Sequence, residues 1–300
     1  FDNKMIPIHA KVTIRGETMI VDLSDSSPQV TGFINSSFAN TRSMVHAAIM
    51  YLIPSDVPRN DGSMRVVKVT APKGLIVNAN PPAPVCMSTS QCGNEIIEAV
   101  FKALADKVPY APTAGFSRRL RFAISGIDPR TGRQFIWHFF FARGGGGASY
   151  GFDGWSNVGE VSNAGGIRIP SVELTEERFP FFVKHHELRP NSGGDGTWRG
   201  GLGGMCEMVY EGAQGALLNT AGDGVIVPPF GLLGGKPGMP HIYKLISEES
   251  ERILRSKEAG LVLNPGDRIV VLSAGGGGYG EPHDRPLSQR EWDLKNGYYT

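Results

Sequence analysis

The sequence predicts a mixed fold, mainly β with a few helices, in which glycine-rich segments pack as a bundle of polyproline-II-like chains. Three observations predict it. Short stretches alternate apolar with polar residues between turn signals, two longer stretches carry apolar residues at helical spacing, and 40 of the 300 residues are glycine, many of them in runs.

Residues 8–23, IHAKVTIRGETMIVDL, alternate around Gly16 and read as a β-hairpin at a sheet edge. A helix follows, with Asn35, Ser36 and Ser37 as N-cap candidates and Phe38, Val45, Ala48, Ile49 and Leu52 as its apolar stripe, ended by Pro54. His46 within it reads as a helix histidine that meets solvent or a core polar group. The next thirty residues are rich in proline and read as extended, turn-rich chain with short strands at 64–70 and 75–77. The clearest helix comes next: Asn94 is placed as its cap, and Ile96, Ile97, Val100, Phe101 and Leu104 share one face. Glu95 and Glu98 suit the positive end of its dipole, and Lys102 and Lys107 the other. From Leu120 the pattern is strand, an Asp-Pro-Arg-Thr-Gly turn, and strand. Phe135, Trp137, Phe139 and Phe141 fall on one face of the second strand, and Ile136, His138 and Phe140 on the other. With both faces apolar, His138 is expected to be buried as a core residue rather than a catalyst. Two parts result: residues 1–142, a β-sheet domain with two helices, and residues 143–300, glycine-rich segments and β-sheet packed as one unit with the first.

Composition narrows the function. Thirty basic residues against 29 acidic leave a formal charge of +1, which gives nucleic acid or an anionic membrane nothing to bind. Cys86, Cys92 and Cys206 are too few and too unevenly spaced for a disulfide framework or a zinc site, so a cytoplasmic location is expected. The N-terminal stretch has neither a basic nor an apolar region of a signal peptide, and Phe1 in place of Met points to a piece of a longer protein.

Glycine tracts begin at 144–147 in RGGGGASYGFDGWSN and recur at 193–204 in NSGGDGTWRGGLGG and at 275–280 in AGGGGYG. Four adjacent glycines carry a heavy entropic cost, which a fold accepts only where backbone approaches something closely or takes positive φ. A Walker A loop fails on spacing. GLLGGKPG has Pro237 where a Walker A loop needs Ser or Thr, and GGLGGM lacks the third glycine of a dinucleotide fingerprint. Close backbone packing, which only glycine permits, is preferred to direct ligand contact. Elsewhere, His185 and His186 are neighbours on a strand and point to opposite faces. Asp22 and Asp25 read as turn formers rather than general bases. No HExxH motif occurs.

The order VDLSDSSPQVTG, VPRNDGSMRVVKVTAPKGLIVNANPPAPV, FARGGGGASYGFDGWSN, LRPNSGGDGTWRGGLGG and NPGDRIVVLSAGGGGYGEPHDRP resembles the B-type subunit of the hydantoinase/oxoprolinase family, which includes N-methylhydantoinase, 5-oxoprolinase and the acetone and acetophenone carboxylases. The resemblance covers nearly the whole chain. It implies barrel-like β-sheets leading into the glycine-rich bundle, and an ATP-dependent enzyme in which an A-type partner with an actin/hexokinase-like fold binds ATP and Mg and phosphorylates a carbonyl or amide oxygen. The B-type subunit then completes ring hydrolysis or carboxylation. The family's B subunit is about twice this length, and its His/Asp metal motifs lie in an N-terminal half absent here. A divalent metal would sit in that half, and this chain would bind no cofactor or metal alone. The expected partners are therefore the A-type subunit, the remaining part of the B subunit, and a small cyclic amide or ketone. The family commonly has Asp-Ser-Gly-Gly where this sequence has Asn191, Ser192, Gly193 and Gly194, so an essential acid at that position would be lost. The leading expectation is an amidohydrolase subunit acting on a hydantoin-like or lactam ring; the alternatives are a ketone carboxylase subunit and a non-catalytic scaffold that docks the A-type subunit. A phosphorylated intermediate needs a dry site with donors for developing negative charge. The candidates for it are the backbone N–H groups of Gly144, Gly145, Gly146 and Gly147 together with Asp153, Asn191, Asp195 and Arg199.

Overall fold

The computed structural model describes residues 5–166 and 168–300. The chain divides between Thr113 and Ala114 into two compact units. In the first, β1 (Lys11–Arg15) and β2 (Thr18–Asp22) form the expected hairpin, with Arg15 opposite Thr18 and Gly16 at φ +55 in the connection. Helix α1 (Phe38–Leu52) is capped by Ser37, whose side chain accepts from the Asn40 amide, and it buries Thr41, Val45, Ala48 and Ile49. Phe38, placed in the apolar stripe by sequence, is exposed instead, at the first position of α1. Asp22 accepts from the Ser24 amide at 3.0 Å, a local turn contact.

The 64–70 strand is shorter than the pattern suggests. A one-turn helix, α2 (Asp61–Met64), with a capping box from Asn60 takes Met64, and β3 (Val67–Thr70) then pairs parallel to β2. No strand forms over 75–77; Leu75 makes only isolated bridges to Pro28 and Asn78. Helix α3 (Cys92–Leu104) buries Ile96, Ile97, Val100, Phe101 and Leu104 and packs on α1, where Tyr51 meets Phe101 edge-on at 6.1 Å. Asn94 does not cap it. The N-cap position is Gln91, three residues earlier, and the Asn94 side-chain Nδ2 donates back to the Ser90 carbonyl at 2.9 Å.

The second unit holds two open antiparallel sheets. One runs β11 (Lys257–Leu263), β8 (Ala216–Ala221), β4 (Phe122–Asp128), β5 (Arg133–His138); the other runs β10 (Glu251–Ile253), β9 (Ile242–Ile246), β12 (Arg268–Leu272), β7 (Gly204–Tyr210), β6 (Phe181–Leu188). Because β4 pairs with β8, the β4–β5 hairpin belongs to this unit, and the compositional boundary at 142/143 falls inside it. Short α4 (Val172–Arg178) precedes β6, and α5 (Leu287–Lys295) follows the last glycine tract.

The barrel-like arrangement is not formed. Among the described residues no strand joins β10 to β6 or β11 to β5. Side-chain stacking closes the core instead of edge hydrogen bonds: Phe122, Ile124, Phe135, Trp137 and Leu218 of one sheet share a cluster with Phe181, Met208, Tyr210, Tyr243 and Val271 of the other. Phe122 stacks on Phe139 at 4.5 Å, and Trp137 lies 4.9 Å from Phe181. The expected inward face is thus the core. The other face is not, since Ile136 is 63% exposed, and His138 is only partly covered, held 2.9 Å from the Arg121 guanidinium.

The glycine tracts lie backbone on backbone beside these sheets. Gly201 N donates to Gly146 O at 2.9 Å, Gly276 N to Gly201 O at 2.8 Å, and Gly194 N to Gly276 O at 2.8 Å, so three tracts remote in sequence meet at one place. Buried His241 ties the last tract in. Its Nδ1 accepts from the Ala274 amide at 2.7 Å and its Nε2 faces the Arg118 carbonyl at 2.8 Å, which fixes the neutral tautomer with the proton on Nε2.

A Cβ on Gly276 would stand 1.8 Å from the Gly146 carbonyl oxygen, and neither backbone can give way. Gly276→Ala is therefore expected to abolish soluble, folded protein. Gly16→Ala, where only the positive φ resists, should cost about 1 kcal/mol; soluble yield and urea midpoints of the two variants read the contrast, and equal effects would refute the packing argument. Burial lowers the His241 pKa to about 4 despite its bond to Arg118. Between the ordinary histidine value and pH 4 the unfolded chain takes a proton that the fold refuses, so stability falls as pH falls through this window, by on the order of 3 kcal/mol in all. Urea denaturation between pH 7 and pH 4 should show this loss, flattened in His241→Gln.

Candidate functional site

The sequence candidates converge on two places in the second unit. Asp153 and Arg199, 46 residues apart, come together: the Arg199 amide donates to Asp153 Oδ1 at 2.7 Å and its guanidinium lies 3.5 Å from Oδ2. Two residues that the sequence reading missed complete a tetrad in which Arg199, Arg285 and Asp293 are buried and Asp153 is half-buried. Arg285 grips Asp153 with two bonds of 2.8 Å, and Asp293 of α5 accepts from Arg199 Nε at 3.1 Å and from Arg285 Nε at 2.8 Å. Asp293 is wholly buried, Arg199 donates further to the Gly200 carbonyl, and its guanidinium stacks 3.9 Å over the Tyr298 ring. Burial opposes ionisation of Asp153, but the Arg285 bonds, the Arg199 amide and both guanidinium charges outweigh it and hold the carboxyl below its usual range.

Asn191 and Asp195 lie where the chain's last residues fold back on the second tract. Asn191 takes φ +58, a conformation asparagine tolerates. Its Nδ2 donates to Thr300 Oγ1 at 2.7 Å while its Oδ1 accepts from the Thr300 amide at 3.1 Å. The amide supplies a donor that a carboxylate lacks, so asparagine fits this contact. Tyr299 donates to Asp195 Oδ1 at 2.7 Å. Burial, then the Asp195 bond and charge, push the Tyr299 phenol up, so it stays protonated as a donor. A pocket of about 460 Å³ opens here, lined by Asp195, His283, Arg285, Arg290 and Tyr299.

The backbone-donor candidates are placed differently from one another. Gly145 gives its N–H to the Ala274 carbonyl at 2.9 Å and Gly146 gives its own to the Trp155 carbonyl at 2.8 Å. A Cβ at Gly144 or Gly147 would stand 1.9 Å from Ser117 Cβ or the Ala114 carbonyl oxygen. Close packing thus accounts for these glycines. Among the described residues no three His, Cys, Asp or Glu side chains are grouped to hold a metal ion, and no helix is long and apolar enough to cross a membrane. Arg285 and Asp293 were not legible as site residues because they sit beyond the last tract, 132 and 94 residues from their partners Asp153 and Arg199; the only trace is the charged tail EPHDRPLSQREWDLK itself.

Removing Asp293 leaves two buried guanidinium groups to share the single carboxylate of Asp153. Asp293→Ala is expected to lower the unfolding free energy by about 3–5 kcal/mol, whereas Tyr299→Phe, at the rim, should cost about 1 kcal/mol. Urea melts of the two variants decide it, and an equal or reversed order would mean that the tetrad does not hold the bundle.

With this geometry in view, the likeness to known proteins is specific. A hydantoinase B/oxoprolinase family model matches residues 1–282. Caprolactamase subunit beta from Pseudomonas jessenii is 33% identical over 303 aligned residues, covering 97% of this chain and 51% of that one. The crystal structure of the ATP-dependent caprolactamase from the same organism superposes with a TM-score of 0.86 at 32% identity, over 97% of this chain and 51% of the other. The nucleotide-free structure of acetone carboxylase superposes with a TM-score of 0.82 at 20% identity, over 97% of this chain and 43% of that one, a likeness of fold alone. The chain spans about half the length of the caprolactamase subunit it matches. It belongs to the hydantoinase B/oxoprolinase family.

Proposed function

We propose that this chain is part of the B-type subunit of an ATP-dependent enzyme that opens a lactam or hydantoin-like ring after an A-type partner has phosphorylated the amide oxygen. One observation carries the reading: 33% identity with caprolactamase subunit beta runs over 97% of this chain. Phosphorylation by the partner makes the carbonyl carbon of a stable cyclic amide open to water; the ring C–N bond then breaks with the nitrogen leaving as an amine, and a second water releases phosphate from the resulting acyl phosphate. The residues here do not fit nucleotide: no Walker A spacing exists, and the tract amides of Gly145, Gly146 and Gly276 already donate to carbonyls. ATP and Mg accordingly belong with the A-type partner, and a divalent metal with the remaining part of the B subunit. A cytoplasmic setting suits the cysteines, since Cys206 is buried and its thiol pushed up to about 12, which leaves it unreactive.

What this segment contributes is a rigid wall of polyproline-II-like chains that keeps water from the reacting groups. The saturated Asp153–Arg199–Arg285–Asp293 tetrad favours a scaffold role for those four residues over direct chemistry, because every charge already has its partner. Asp195 and Tyr299, at the pocket, are the better candidates for contact with substrate or partner.

The complete complex, recovered with its natural partners, should hydrolyse ATP in response to lactams or hydantoins without bicarbonate. Turnover that needs a ketone and bicarbonate would replace this reading with a carboxylase. Silence across both panels, with Arg199→Ala abolishing assembly, would leave the scaffold role alone.

A further inference from the structure

A second charged cluster in the same unit differs from the tetrad in being unsaturated. Arg119 and Arg143 flank one carboxylate. Glu160 Oε1 accepts from Arg119 Nη1 at 2.8 Å and stands 3.8 Å from Arg143 Nη1. Its Oε2 is met at 3.0 Å by the Asn163 side chain, oriented so that its amide nitrogen donates. The Arg143 side chain is 5% exposed, that of Glu160 3% and that of Arg119 11%. Two cations therefore share one anion out of water, and their charges do not balance.

Hydrogen bonding shows the same deficit. Arg119 Nε, Arg143 Nε and Arg143 Nη2 are buried with no acceptor among the described residues. A buried donor without a partner loses its hydration and gains nothing in return. The position of the open donors is chemically specific: Nε and Nη2 form one edge of the guanidinium, the edge that grips a carboxylate or phosphate by two parallel bonds. Arg143 cannot turn that edge away freely, because its guanidinium lies 5.2 Å from the Phe140 ring centroid on a side chain packed in place.

The cluster is also built on a rigid frame. Arg143 opens the first glycine tract, Arg119 lies just before β4, and Glu160 follows Gly159. These three stretches are tied by Ser117 N to Gly145 O at 2.9 Å, Gly159 N to Gly144 O at 3.0 Å and Ser117 Oγ to Gly159 O at 3.1 Å. The donors are thus held in place before any ligand arrives, which is what a site for a small anion requires.

We propose that Arg119 and Arg143 form a binding site for a small oxyanion of the phosphate or carboxylate class, gripped by the Nε and Nη2 edge of Arg143. The site stands whether or not the enzyme acts on a cyclic amide, because it rests on the charge and donor count alone. The test is calorimetric titration of the protein, purified with its natural partners, with inorganic phosphate and separately with bicarbonate, each against chloride at equal ionic strength. Saturable binding of either ion, weakened at least about tenfold in Arg143→Met, is the expected result; phosphate alone would assign the site to phosphoryl groups and bicarbonate alone to carboxylates. Should Arg143→Met fail to fold, Arg119→Lys keeps the charge at the more exposed member and should still weaken binding several-fold. No binding beyond chloride, or binding that the folded variant leaves unchanged, overturns the proposal.

Discussion

The second unit depends on backbone meeting backbone at Gly146, Gly201 and Gly276, with no side chain between them. Each segment there lacks a helix or strand of its own, so its polar groups find partners in the other tracts and in the loops beside them. Glycine makes the approach sterically open and at the same time maximises the entropy lost on ordering. The surrounding structure must supply that free energy. Three devices do so: the stacked sheets whose cluster runs up to Phe141 and Ala142 at the start of the first tract, His241 bonded to Ala274 at the start of the third, and the tetrad that ties Asp153, Arg199 and the C-terminal helix together.

Local features were legible because their causes are local. The hairpin at Gly16, the stripe of α3 and the inward face of Phe135, Trp137, Phe139 and Phe141 follow from spacing and alternation within a few residues. What failed also failed for identifiable reasons. Asn94 looks like a cap, but the chain had already turned helical after Gln91; the 75–77 stretch has strand composition but bridges only to Pro28 and Asn78. Pairing is the non-local step. Nothing near β2 says that β3 will lie parallel to it, and nothing near β4 says that β8 will be its other neighbour.

The candidate site divides in the same way. Asp153, Asn191, Asp195 and Arg199 could be singled out because they stand inside the tracts, where a side chain is rare and its position therefore constrained. Arg285, Asp293 and Tyr299 stand in an ordinary charged tail, and only the fold shows that this tail returns to the tracts. Arg119 and Glu160 were invisible for a further reason: their significance lies in a count of donors against acceptors, which composition does not contain.

That count separates two kinds of buried charge. In the tetrad, two guanidiniums face two carboxylates, and removing any member should be felt as lost stability. Around Glu160, two guanidiniums face one carboxylate and leave the gripping edge of Arg143 open. A fold selected only for stability would gain by adding an acceptor there or by replacing Arg143 with an apolar residue of similar size. Keeping the deficit next to a glycine tract, on a frame already rigid, is what a protein does when the missing anion is supplied from outside.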